Sequence, residues 1–289
     1  MLVPVLSIWA VDPFRVSGRT NADRLRVRVE PTLTAETVGH LPADMELEIT
    51  DVTAEEMIIG TMSARWYKVR NLPGSDPMEG WSYGFFIDLR PEELLALATW
   101  LGRPRLVREL IDGGVDVNAV LEEEGATFTQ YDEYGYGTRP VIEAVRAGGL
   151  EILQMLLASG ADPDAEYSYG EPGGGMRSNA LVTAVELGNT GAVAALVEAG
   201  ADLEAEKNSL GAGGDGYRAT ALSAAVESGN RPLVEYLVAA GADVNHAVRY
   251  RSGRDGDSWK TPLDIAEEKG FLEIAGIIRA HGGETAGSP

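Results

Sequence analysis

The sequence predicts a chain of two parts, a small all-β barrel over residues 1–90 and an α-helical repeat solenoid over residues 91–289. Two observations carry this. Up to residue 90 the apolar residues fall in short runs, several with period two, whereas after Pro91 they recur at i, i+3 and i+4. A Gly-x-Asp stop also recurs through the second part, at Gly114, Gly160, Gly200 and Gly241, with a degenerate copy at Gly282-Gly283-Glu284. The steps between the leading glycines are 46, 40, 41 and 41 residues, and a nearly constant period of that size marks stacked supersecondary units.

In the first part the β-prone runs are LRVRVE (25–30), LEIT (47–50), MIIGTM (57–62), WYKVR (66–70) and WSYGFFI (81–87). Turn residues such as Leu41-Pro42-Ala43-Asp44 and Pro73-Gly74-Ser75-Asp76 separate them. Short strands at this spacing suit a small barrel. The apolar start, Met1 to Val11, has no basic flank and no small-x-small cleavage site, so it is expected to be a strand or packed arm rather than a signal peptide.

Each unit of the second part has the same grammar. In the second unit Arg139-Pro140-Val141-Ile142 opens a short helix, with Pro140 in the tolerated first turn. Gly148-Gly149 turns the chain, Leu150 to Ser159 forms a longer helix, and Gly160 supplies a left-handed cap. Residues 179–202, 220–243 and 261–283 follow suit, and residues 92–116 read as an N-terminal cap. One helix pair leaves an apolar face too wide to cover itself, and stacking the pairs buries it.

These units resemble ankyrin repeats. The resemblance rests on Thr261-Pro262-Leu263-Asp264 with Ala266, on Gly241-Ala242-Asp243-Val244-Asn245, and on Val115-Asp116-Val117-Asn118. It covers five copies, at about 92–119, 138–165, 178–205, 219–246 and 260–284. The histidine of the family's opening motif is absent throughout, which bears on the stability of that turn. The family period is about 33 residues. The extra residues of this chain fall between each stop and the next helix, where the family has a projecting β-hairpin finger.

The lengthened fingers are the first candidate binding surface, because long ordered insertions usually carry function. They mix Tyr, Trp, Met and Arg with Gly and Ser, a composition favoured at interfaces. The residues singled out are Tyr131, Tyr134, Tyr136, Tyr167, Tyr169, Met176, Arg177, Tyr217, Arg218, Tyr250, Arg251 and Trp259. The bland alternative is that the fingers only pack on one another. A second row, Trp100, Arg146, Glu186, Glu227 and Glu268, closes the short helices on the expected concave face, where a merely solvated face is the alternative.

The first part resembles a bacterial SH3-like (SH3b) domain. The residues are Leu25-Arg26-Val27-Arg28 with Glu30-Pro31, Thr37-Val38-Gly39-His40-Leu41, Trp66-Tyr67-Lys68-Val69 and Gly80-Trp81. Domains of this kind bind cell-wall peptides or other proteins. The resemblance suggests a groove lined by Trp66, Tyr67, Trp81 and Tyr83, although such rings in a small barrel serve more often as core.

Composition limits the chemistry. The chain has no cysteine, which excludes disulfides and zinc–thiolate sites. Cysteine-free chains occur on either side of a bacterial membrane, so cytoplasm and periplasm both stay open. Its three histidines, His40, His246 and His281, lie in different units without ligand spacing. Gly211 to Gly216 matches G-x-G-x-x-G literally but follows a repeat stop rather than a strand of a dinucleotide fold. Asp255-Gly256-Asp257 starts like a calcium loop and then fails it at Lys260 and Ala266. No catalytic residue, metal site or cofactor is therefore expected, and no apolar run is long enough to span a bilayer.

The formal net charge is −21, and residues 91–289 hold 15 Lys and Arg against 32 Asp and Glu. Such a field repels phosphates and argues against nucleic acid. The expected function is a non-enzymatic protein-interaction scaffold. Two alternatives stay open: a cell-envelope protein whose SH3-like domain binds peptidoglycan or wall peptide, and an acidic inhibitor or immunity-type protein for a basic effector.

Overall fold

In a computed structural model of the chain, which describes residues 16–22, 24–59, 62–71, 78–120, 139–171, 174–210, 215–252 and 256–287, the period-two runs of the first part become a sheet. The chain divides into two units, Met1–Leu106 and Val107–Pro289.

The first unit contains β1 (Val16–Thr20), β2 (Leu25–Arg28), β3 (Thr37–Leu41), β4 (Glu46–Val52), β5 (Met57–Ile59), β6 (Met62–Ala64), β7 (Trp66–Asn71), β8 (Glu79–Tyr83) and β9 (Ile87–Asp88). Seven of these form an antiparallel sheet in the order β3-β2-β8-β7-β4-β1-β9. Strands β3 and β9 are its edges, and no hydrogen-bonded pair joins them into a closed barrel among the described residues. The run 57–62, expected as one strand, instead contributes to the hairpin β5–β6. Alternate residues enter the core: Leu25 and Val27, Leu47 and Ile49, Tyr67 and Val69 are buried. Helix α1 (Pro91–Trp100), with Pro91 in its first turn, packs on β1 and β4 of the same unit.

Helix α2 (Pro104–Asp112) spans the division. The second unit continues with α3 (Pro140–Arg146), α4 (Leu150–Ala158), α5 (Ala180–Glu186), α6 (Thr190–Glu198), α7 (Ala221–Glu227), α8 (Arg231–Ala239), α9 (Pro262–Glu268) and α10 (Leu272–Ala280). The short helices α3, α5, α7 and α9 stack in sequence, while α4 packs on α6 and α8 on α10. The core is a column of Ile142, Leu153, Leu156, Leu196, Leu222, Leu233 and Leu237, with buried Ala144, Ala184, Ala225 and Ala266 letting neighbouring short helices approach.

Two series of left-handed glycines set the phase. Gly102, Gly148, Gly188, Gly229 and Gly270 have φ from 63° to 74°, and each stop glycine follows twelve residues later with φ from 84° to 101°. Only glycine reaches this region without strain. The constant interval confines every length difference to the connection after the stop.

Where the family histidine is missing, other side chains close the helix start. Thr220 accepts from the Ser223 amide while Ser223 Oγ accepts from the Thr220 amide at 2.9 Å, and Thr261 and Asp264 repeat this reciprocal cap. Asn179 caps α5 by accepting from Val182 N–H at 2.8 Å.

The stops are stitched to one another. In each, the Asp carboxylate accepts the amide two residues on: Asp116 from Asn118, Asp162 from Asp164, Asp202 from Glu204 and Asp243 from Asn245. That second residue reaches the next stop. Asn118, Asp164, Glu204 and Asn245 accept the backbone N–H of Asp162, Asp202, Asp243 and Glu284 at 2.8, 2.7, 2.8 and 2.8 Å. The ladder therefore links all five stops and gives Glu284 the place of the stop Asp.

The fingers pair as well. They form β10 (Glu166–Glu171), β11 (Gly174–Asn179), β12 (Lys207–Leu210), β13 (Gly216–Ala219), β14 (Val248–Ser252) and β15 (Gly256–Lys260). Hairpins β10–β11, β12–β13 and β14–β15 join edge to edge through β11–β12 and β13–β14 into one six-stranded antiparallel sheet.

Candidate functional site

Directly opposed residues of an antiparallel sheet point to the same face, so the register of the finger sheet sorts its side chains. One face carries Tyr167, Met176, Ser178, Lys207, Tyr217, Val248, Tyr250 and Lys260. The other carries Arg177, Asn208, Arg218, Arg249, Arg251 and Trp259.

The first face is turned to the ends of the short helices. The Arg146 guanidinium lies 4.2 Å from the centre of the Tyr167 ring. Lys207 Nζ is 2.6 Å from Glu186 Oε1, Tyr250 donates its hydroxyl to Glu227 at 2.7 Å, and Lys260 pairs with Glu268. Each of these four helix-end residues, expected to lie in a free concave row, thus holds a finger residue. Glu143, fully buried one turn before Arg146, pairs with it at 3.3 Å. Further out, Tyr217 and Tyr250 stack with centroids 6.3 Å apart, and Lys260 lies 4.8 Å from the Tyr250 ring centre. Burial, chiefly, and the neighbouring Glu227 carboxylate push the Tyr250 phenol far above the ordinary tyrosine range. This phenol therefore acts as a neutral donor.

The second face is open. Trp259 is 55% exposed, and Arg218 and Arg251 are exposed. Arg218 pairs with Glu206 at 2.9 Å and Arg249 with Asp257 at 3.0 Å, while Arg177 stands 3.8 Å from Glu166. Gly216 is tied to its place by a close approach, since a Cβ there would stand 2.4 Å from the Ser209 carbonyl oxygen.

The other expected residues fall as follows. Tyr131, Tyr134 and Tyr136 lie outside the described residues. The Tyr169 backbone pairs with Met176 in the hairpin β10–β11. Tyr167 is buried and is part of the support rather than the surface. Trp100 closes α1 in the first unit and is exposed.

In the first unit Trp66, Tyr67 and Tyr83 are buried, and Trp81 is half-buried. Trp66 and Tyr83 meet edge to face at 5.7 Å, and the Tyr83 hydroxyl is held by the Met57 and Met62 carbonyls at 2.6 and 3.0 Å. Burial raises the Tyr67 phenol pKa. These three rings build the core of the sheet, so the aromatic groove expected there has at most Trp81 to offer.

Sequence reasoning did not single out Lys207, Arg249 or Lys260. The period-two pattern of the fingers held the signal, because Arg249 stands two residues before Arg251, and Lys207 two before Ser209, on the respective faces.

Residues 141–248 match the family model for ankyrin repeats, in three copies. Repeats of this family generally serve as protein–protein interaction modules. A search of curated proteins finds no match to this chain.

Proposed function

We propose that the protein is a non-enzymatic interaction scaffold that takes a protein partner on its joined fingers, with the concave helix ends acting from beneath as their support. The observation that carries this reading is the continuous six-stranded sheet made from three successive fingers. Isolated hairpins are marginal and would have to be ordered on binding, whereas a joined sheet offers a preformed surface and avoids much of that entropy cost. Its open face combines Arg with an exposed Trp, residue types enriched in binding hot spots.

On this reading the array comprises five ankyrin repeats over residues 91–289, with the stop ladder supporting the count and residues 92–119 as its N-terminal cap. Residues 1–90 are an SH3-like domain supplying a second contact. The support is that its motif residues fall on β2, β8 and β7, which are neighbours in the sheet.

The test is affinity capture from the source organism's lysate with the intact chain and with an Arg218→Ala, Trp259→Ala variant, both residues on the open face. A partner held by the first and lost by the second is the expected result. Equal retention by both would sink the finger-based reading.

A further inference from the structure

The pairing registers write out what the open face carries from edge to edge. One row runs Ser168, Arg177, Asn208, Arg218 and, with the register of β13 and β14 continued by one residue, Arg249 and Trp259. The row beside it runs Gly170, Gly175, Leu210, Gly216, Arg251 and Asp257. The first is a ridge of guanidinium groups ending at an indole. The second is bare at three of its first four positions, and an open depression there is lined by Leu210, Gly216, Arg218, Arg249 and Arg251 among others. With strands about 4.8 Å apart, each row is about 24 Å long, the span of roughly seven extended residues.

Charge gives the trough its direction. Residues 91–289 hold 32 acidic against 15 basic side chains, yet four arginines share this one face. Three of them have carboxylate neighbours, Glu166, Glu206 and Asp257, in partly exposed pairs of the kind that contribute little to stability. Arg251 makes no ion pair among the described residues.

We infer that this face binds an extended acidic polypeptide segment laid across the strands in the glycine trough. Its carboxylates meet the planar forks of Arg218, Arg249 and Arg251, and an apolar side chain rests on Trp259. A short segment feels chiefly these near charges, because the rest of the acidic surface is screened beyond about 8 Å at physiological salt. A long nucleic acid would extend over that acidic surface and be repelled. The assignment rests on the proposal that the fingers are the binding surface.

The test uses the full chain and a fluorescein-labelled octapeptide of alternating Glu and Val, followed by fluorescence anisotropy at near-physiological salt. Comparison probes are the Gln–Val and Lys–Val octapeptides and a single-stranded thymidine octanucleotide. Saturable binding of the Glu peptide is expected, about tenfold tighter than that of the Gln and Lys peptides, and about tenfold weaker for Arg251→Gln and for Arg218→Gln. Circular dichroism and the thermal midpoint show whether each variant is folded, and Arg251→Gln removes no ion pair described here. No charge preference, preference for the Lys peptide, equal binding by folded Arg variants, or an oligonucleotide bound as tightly as the Glu peptide would each overturn the assignment. If the Glu peptide fails while a finger-dependent partner is still captured, the acidic-segment assignment falls and the scaffold reading stands. If the peptide binds but capture does not depend on the fingers, the scaffold reading falls.

Discussion

The Lys207 ammonium, on a side chain only 4% exposed, lies 2.6 Å from the carboxylate of Glu186, which is 18% exposed. Lys207 opens strand β12 and Glu186 closes helix α5, so this pair fastens a finger to the helix of the preceding unit. Lys260 closes β15 and pairs with Glu268 at the end of α9, the helix that follows its finger, at 27% and 62% exposure.

Burial separates the two pairs energetically. Glu186→Gln leaves a buried cation without its counter-charge and is expected to cost about 2–4 kcal/mol. Glu268→Gln breaks a solvated pair and is expected to cost about 0–1 kcal/mol. Urea denaturation of both variants measures the difference, and equal losses would remove burial as its cause.

The same pair predicts a pH dependence. Burial is the largest single influence on Lys207 and lowers its pKa, but Glu186, followed by Tyr217, outweighs it, and the net shift is upward from 10.5. A cation whose folded pKa exceeds its unfolded value contributes its full stabilisation below the unfolded value and loses it as pH rises through the folded one. Between pH 7 and 10 the contribution is therefore flat, and above about 10.5 it declines. Wild type is expected to lose stability in that alkaline range more steeply than Lys207→Met, as measured by denaturation at a series of pH values.

The stop ladder predicts where the array frays. Asn245 accepts the Glu284 amide at 2.8 Å and donates to the Gly282 carbonyl at 3.1 Å. Asn245→Ala removes both bonds and is expected to cost about 0.5–1.5 kcal/mol. Hydrogen exchange at the Glu284 amide should accelerate while α5 and α6 stay protected.

Two glycines are expected to respond with opposite signs. Gly200 has φ 91°, and Gly200→Ala should destabilise by about 1–2 kcal/mol. Gly276 lies within α10, with nothing inside 4 Å of an added Cβ, and Gly276→Ala should stabilise by about 0.5–1 kcal/mol. Thermal midpoints of the two variants report the signs.

The helix pairs and their phase were legible because their signals are local. Gly160 and Gly241 mark left-handed stops, and Pro140 and Pro262 open helices, each within a few residues of the element it shapes. The fingers were legible as a place but not as a structure. Tyr217 and Arg218 were read as one surface, yet adjacent residues of a strand point to opposite faces, and only Arg218 lies on the open one. The concave row was read without its partners for a related reason. Lys207 lies 21 residues after Glu186, and Tyr250 lies 23 after Glu227, so contacts that close through the fold leave no nearby pattern. In the first unit the motif around Trp66 marked a strand correctly, while the burial of its ring depends on Met57 and Tyr83 arriving from other strands.

The joining of fingers is most directly measured by amide hydrogen exchange across residues 174–179 and 207–210, where β11 of one finger pairs with β12 of the next. The joined sheet predicts slow exchange for the amides bonded across that boundary, comparable to the helices below and lost together with the Lys207–Glu186 pair in Glu186→Gln. Exchange at solvent rates there, with the helices α5 to α8 still protected, would show fingers that move separately and would contradict a preformed binding surface.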